Sequence, residues 1–157
     1  MKTLLVLRHA KSSWESPDED HERPLLKRGK RAAKRVGKEL RKRELRPSLI
    51  LCSTAKRARS TAKRAAKAGR FTGQTVETRE LYMTGVDRQL PLLAAVDDQH
   101  ECIMVVGHNP DSEALVSALT GKQVPLPTAT LACLDLPIDS WSAIAESQGS
   151  LRFVVTP

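Results

Sequence analysis

Little in this 157-residue chain suggests cross-linking or a membrane span. Cysteine occurs three times, at Cys52, Cys102 and Cys133, an odd and widely spaced set among apolar neighbours. That argues against a disulfide framework and for reduced core thiols. None of the three has a His or Cys partner at finger-like spacing, which argues against structural zinc. No apolar run approaches the ~20 residues that a membrane span needs. The opening run from Met1 to Leu7 meets Arg8 and His9 too soon for a signal peptide and carries no small-residue cleavage site, so the expectation is a cytoplasmic protein without membrane association. Aromatic residues are scarce: Trp14, Phe71, Tyr82, Trp141 and Phe153 are the whole set, and none is interleaved with the basic segments. A base-stacking nucleic-acid surface is therefore poorly supported. With no internal repeat and no Pro-, Gly- or Ser-rich linker, a single domain over residues 1–157 is expected.

Positive charge is abundant and concentrated. The chain holds 26 Lys and Arg against 18 Asp and Glu, a net +8. Residues 27–46 and 56–70 together carry eighteen basic and two acidic side chains, so the remainder sums to −8. Apolar residues fall at helical spacing in both segments, Ala32, Ala33, Val36 and Leu40 in the first and Ala58, Ala62, Ala65 and Ala66 in the second. The basic side chains then lie mostly on solvent faces, where they either are simply solvated or create a field that gathers anions.

Runs rich in Leu, Val and Ile at 3–7, 48–52, 102–106, 130–134 and 151–155 alternate with helical patterns at about 26–45, 55–68, 87–96 and 112–120. A short strand at 75–79 is a further expectation. This alternation predicts an α/β three-layer sandwich, with a central, mostly parallel sheet flanked by helices. Gly69 and Gly121 read as helix stops, Asp87 as an N-cap, and Pro91 as tolerable only in early helical turns. Residues 15–22 and 121–128 read as polar loops.

In open α/β sheets, ligands bind beyond the carboxyl ends of the strands. Arg8 and His9 follow the first strand; Ser53, and a turn carrying Lys56, Arg57 and Arg59, follow the second; Gly107, His108 and Asn109 follow the 102–106 strand. Arginine recognises phosphate oxygens in a planar, bidentate manner, and histidine can accept a phosphoryl group and pass it to water. No carboxylate cluster of the kind that holds Mg²⁺ accompanies them, so Arg and protonated His would supply the charge stabilisation. His21 and His100 lie in polar loops and carry an ordinary reading, Asp111 reads as a cap of the following helix, and Lys11 and Ser12 either touch a leaving group or have no part.

On these residues the chain resembles the histidine phosphatase superfamily, which includes the cofactor-dependent phosphoglycerate mutases. The matching elements are Leu7-Arg8-His9-Ala10, the pattern Ser53-Thr54-Ala55-Lys56-Arg57-Ala58-Arg59-Ser60-Thr61 with Thr54 in the usual proline position, and Val105-Val106-Gly107-His108. The opening Arg8-His9-Ala10-Lys11-Ser12-Ser13-Trp14, and His21-Glu22-Arg23-Pro24-Leu25 leading into Arg28-Gly29, look most like the SixA-type phosphohistidine phosphatases. The resemblance implies a phosphoglycerate mutase-like fold, His9 as nucleophile, and Arg8, Arg57 and His108 as the phosphate pocket; Arg59 stays on the solvent face. It also implies Glu80 as a candidate general acid, although Glu80 precedes Gly85 by five residues where the family pattern has four.

The activity expected from the resemblance is metal- and cofactor-free hydrolysis of phosphohistidine on a protein through phospho-His9. A phosphoimidazole leaves more readily than an alkoxide because its other nitrogen can be protonated, so less acid assistance is needed. The alternatives are a broad phosphomonoesterase for small phosphorylated substrates using the same pocket, a non-catalytic phosphoprotein-binding module, and a basic nucleic-acid-associated protein.

Overall fold

The computed structural model describes residues 1–157. Its elements in chain order are β1 (Lys2–Arg8), α1 (Lys27–Lys42), β2 (Leu49–Ser53), α2 (Lys56–Gly69), β3 (Gln74–Thr78), α3 (Val86–Ala94), β4 (Cys102–Gly107), α4 (Asp111–Thr120), β5 (Leu131–Leu136) and β6 (Ser150–Val155), with 3-10 helices at Asp20–Glu22, Arg79–Leu81 and Trp141–Glu146. The strands form one six-stranded sheet in the order β3-β2-β4-β1-β5-β6. Its β3-β2-β4-β1 portion is parallel, while β5 runs antiparallel to β1 and β6 antiparallel to β5. The α/β sandwich with a mostly parallel sheet is thus the observed architecture, and a two-stranded antiparallel extension closes one side of it.

Strand side chains alternate between the two faces, and both faces are covered. Leu4, Val6, Leu49, Leu51, Ile103 and Val105 enter one core with Leu115, Leu119 and Trp141. Leu5, Leu7, Ile50, Cys52, Met104 and Val106 enter the other with Val36, Leu40, Ala58, Ala62 and Ala65. This double burial is the reason the strands read as continuous apolar runs. All three cysteines are free thiols, and burial pushes Cys52 up to about 12.

Several helix ends differ from expectation. Helix α1 stops at Lys42, and Glu44 beyond it takes a left-handed φ of 59°. Gly69 is the last residue of α2, and Arg70 supplies the left-handed C-cap instead. Gly121 does cap α4, at φ 73°. Helix α3 starts at Val86 after Gly85, so Asp87 lies inside its first turn, and Pro91 falls in the second turn. Asp111 does not cap α4; it is that helix's first residue, and its carboxylate accepts the Gly85 N–H at 3.0 Å.

Helices α1 and α2 pack closely because glycine lets them. A Cβ on Gly37 would lie 2.2 Å from the Ala65 carbonyl oxygen. Gly29 sits equally tightly against the Lys11 carbonyl, which holds the start of α1 against the loop after β1. Backbone atoms cannot yield to such an overlap as a flexible side chain can, so Gly37→Ala should destabilise the fold by about 1–3 kcal/mol. The check is urea unfolding, with a lower midpoint at unchanged slope expected; an unchanged midpoint would show that the helices can separate at little cost.

Candidate active site

The carboxyl edge of the sheet is built by strand ends that cannot move independently. Arg8 closes β1, and its N–H donates to Thr130 O at 3.1 Å; the next N–H, of His9, donates to Gly107 O at 3.0 Å. Ala10 N–H donates to Thr61 Oγ1 at 2.9 Å, and the Thr61 hydroxyl donates to Arg57 O at 2.7 Å. The backbone after β1 is thereby pinned to the first turns of α2, which carry Arg57. After β4, Ser112 N–H donates to His108 O at 2.7 Å, fixing His108 at the entry of α4.

These constraints bring Arg8, His9, Arg57 and His108 together around one cavity of about 220 Å³. His9, His108 and Arg57 are buried. The two imidazole rings stand 5.2 Å apart between centroids. His9 Nδ1 lies 2.8 Å from Ala10 O. A carbonyl can only accept, so Nδ1 carries the proton and Nε2 the free lone pair. His108 Nε2 lies 2.8 Å from Ser53 Oγ, and its Nδ1 has no partner, nor do Arg8 Nε and Arg57 Nε. Buried polar atoms without partners are costly, and with Asn109 Oδ1 four of them belong to residues lining this one cavity. Arg8 is steadied by donation to Leu126 O at 3.1 Å.

The loop between β1 and α1 completes the cavity, and the sequence had assigned no role to its Asp20 or Arg23. Ser12 bridges to Leu25, so the loop returns on itself. Arg23 is buried and donates to Ser12 Oγ at 2.9 Å, Ser13 O at 3.2 Å and Asp20 Oδ1 at 3.0 Å. Asp20 in turn accepts from Arg57 Nη2 at 3.1 Å and from the Tyr82 hydroxyl at 2.7 Å, while Arg57 Nη1 reaches Asp20 O at 2.7 Å. Asp20 is the only carboxylate lining the cavity. In the sequence Asp20 stood only within the polar loop 15–22, next to the family-like element His21-Glu22-Arg23-Pro24-Leu25. Trp14 and Met83, exposed by 77% and 62%, stand at the rim, with the Arg23 guanidinium 3.6 Å from the centre of the indole ring.

The remaining sequence candidates divide. Lys11 and Ser12 line the cavity. Glu80 does not; it lies in the 3-10 helix Arg79–Leu81 and pairs with Arg88 Nη1 at 3.3 Å. Arg59 donates to Thr54 O at 2.9 Å and faces Glu22 and Glu77 at the surface. His21 Nε2 meets Thr54 Oγ1 at 2.8 Å, a partner that proline at that position would lack. His100 lies away from the cavity against Ser48. No group of three or more His, Cys, Asp or Glu side chains is placed to hold a metal ion.

Burial, followed by the Arg57, Arg8 and Arg23 cations, brings His9 down to about 4 against the opposing Ala10 hydrogen bond. Burial and then Arg57 bring His108 down to about 3. Both imidazoles are therefore neutral near pH 7. The expectation of a protonated histidine is corrected on this point, since burial and the adjacent arginines disfavour a further cation, and the permanent charge is that of the arginines. Burial pushes the Asp20 carboxyl up, but the Tyr82 hydroxyl, Arg57 and Arg23 outweigh it and hold it at about 2.

Because both histidines fall below their ordinary 6.5 on folding, the unfolded chain takes up protons first as the pH drops. Their contribution to stability is complete above 6.5 and declines as the pH falls, toward about 4 for His9 and about 3 for His108. Urea unfolding at pH 7 and pH 5 should show a smaller loss for a His9→Asn, His108→Asn double variant than for the parent; equal losses would contradict buried neutral imidazoles.

The model of the histidine phosphatase superfamily (branch 1) matches residues 4–83. An uncharacterized protein of Mycobacterium leprae is 35% identical over 125 residues, which cover 74% of this chain and 72% of that protein. A structure from Nakamurella multipartitia, provisionally named phosphohistidine phosphatase SixA, superposes with a TM-score of 0.89 at 30% identity, over 99% of this chain and 96% of that one. One from Agrobacterium tumefaciens, with the same provisional name, gives 0.86 at 30% identity over 99% and 98%. With Arg8, His9, Arg57 and His108 gathered at one sheet edge, the chain belongs to the histidine phosphatase superfamily, as a SixA-type member.

Proposed function

We propose that this protein is a metal-independent phosphatase that hydrolyses phosphohistidine on a protein through a phospho-His9 intermediate. In the first step the Nε2 lone pair of His9 attacks phosphorus in line, forming one N–P bond as the substrate N–P bond breaks. Arg8 and Arg57 neutralise the equatorial oxygens. With Ser53 donating to His108 Nε2, the neutral ring keeps its proton on Nδ1 and donates it to a phosphoryl oxygen. Water then attacks phospho-His9, releasing inorganic phosphate and restoring the lone pair. The 30% identical SixA-named structures support the same reading.

The observation that carries the choice of substrate is the state of the one cavity carboxylate. Asp20 is held ionised at about 2 and is already engaged with Arg57 and Tyr82, so it has no proton to give. The mechanism is not routed through Glu80, which faces Arg88 outside the cavity. An alkoxide would therefore leave this site without a carboxylic acid to protonate it. A phosphoimidazole instead takes a proton from solvent on its distal nitrogen before the bond breaks, and departs as neutral imidazole.

Phosphate release from a phosphohistidine peptide in the presence of EDTA should persist in the parent and fall by at least about a thousandfold in His9→Ala. Loss of turnover on adding EDTA, or an active His9→Ala, would overturn the mechanism. Glycerol phosphate, whose leaving group is an alkoxide, should be cleaved at least about a hundredfold more slowly than the phosphohistidine peptide. Comparable rates would show that the site does possess a general acid.

A further inference from the structure

Helices α1 and α2 leave between them a concave groove of about 620 Å³. Nine of its ten lining residues are Lys or Arg and the tenth is Ala68. None of the nine takes part in an ion pair, although neighbouring cations do: Arg43, just past the end of α1, meets Glu39 at 3.0 Å, and Arg59 of α2 faces Glu22 and Glu77. The other nine basic side chains of residues 27–46 and 56–70 lie outside this groove. The nine that line it converge from α1 and α2 on one concavity with no carboxylate in it, an arrangement whose self-repulsion an anionic partner relieves.

Neighbouring residues link the groove's lining to the catalytic cavity. Lys30 directly follows Gly29, the residue packed against the Lys11 carbonyl, and Lys11 lines the cavity. On the facing helix, Lys63 comes two residues after Thr61, which accepts the Ala10 N–H. From Lys30 to Arg41 the track runs about 16 Å at 1.5 Å per helical residue. That length matches about five residues of extended polypeptide. The lining has no aromatic residue on which a base could stack, and no large apolar side chain to enter a bilayer.

We propose that the α1–α2 groove docks an acidic, extended segment of the phosphorylated protein substrate and so holds its phosphohistidine at the sheet edge. The proposal rests on the reading of the His9 site as acting on protein. Lys34, Lys63 and Lys67 line the groove but not the catalytic cavity, so reversing their charge separates docking from chemistry.

Two phosphohistidine peptides, one with a six-glutamate tail and one with a six-glutamine tail, are compared with free phosphohistidine as substrates of the parent and of Lys34→Glu, Lys63→Glu, Lys67→Glu. In the parent the acidic tail should raise kcat/KM about tenfold, through KM, and high salt should abolish the gain. The triple variant should lose the gain while keeping the parent rate on free phosphohistidine. In parallel, fluorescence anisotropy follows binding of the unphosphorylated glutamate-tailed peptide, with single-stranded DNA as competitor. Equal kcat/KM for both tails, or a gain that survives charge reversal, overturns the proposal, as does tighter binding of DNA than of the acidic peptide. If no phosphohistidine compound is turned over, the phosphatase reading fails, and the anisotropy arm alone decides whether the groove binds an acidic chain.

Discussion

His9 donates its Nδ1 proton to the Ala10 carbonyl at 2.8 Å, and the chemistry of the site depends on what that leaves on the other side of the ring. With the tautomer fixed, Nε2 is an unprotonated nitrogen on a ring that burial and three arginines keep neutral. The Ala10 backbone is itself pinned, by its N–H on Thr61 and by the adjacent His9 N–H on Gly107. One local contact therefore converts the rigidity of β1, β4 and α2 into a directed lone pair.

The same arrangement explains the division of labour among the charged groups. Arginine stays charged where histidine is driven neutral, so the site can hold strong positive charge beside an unprotonated imidazole nitrogen. Asp20 offsets part of that charge and orients Arg57 through its outer nitrogens, leaving Arg57 Nε without a protein partner. The proposed phosphohistidine substrate, whose leaving group brings its own proton, suits a site so arranged. The larger field of α1 and α2 extends the positive charge beyond the cavity, along a groove suited to an extended acidic chain.

Much of this was legible in the sequence. Continuous apolar runs marked strands buried on both faces, and the cations and histidines within a few residues of Leu7, Cys52 and Val106 marked the sheet edge where the cavity lies. Strand direction was not legible, because an apolar run is the same read either way, so the antiparallel β5 and β6 emerge only from pairing. Asp20, Arg23 and Tyr82 were missed for a related reason. Their roles depend on a loop that folds back over α2 and meets residues up to 62 positions away, contacts that no local spacing encodes. The Arg70 cap was hidden as well, since Gly69 beside it is the residue type expected to take a left-handed turn.

On the proposed mechanism, phosphoryl transfer proceeds in two displacements, first to His9 and then to water. Stereochemistry at phosphorus tests it most directly, using a substrate whose transferred group is made chiral with oxygen isotopes and sulfur and is released into isotopically labelled water. Two in-line displacements invert the centre twice, so the account predicts net retention of configuration. Net inversion would mean that water attacks the substrate directly and that His9 is not the nucleophile.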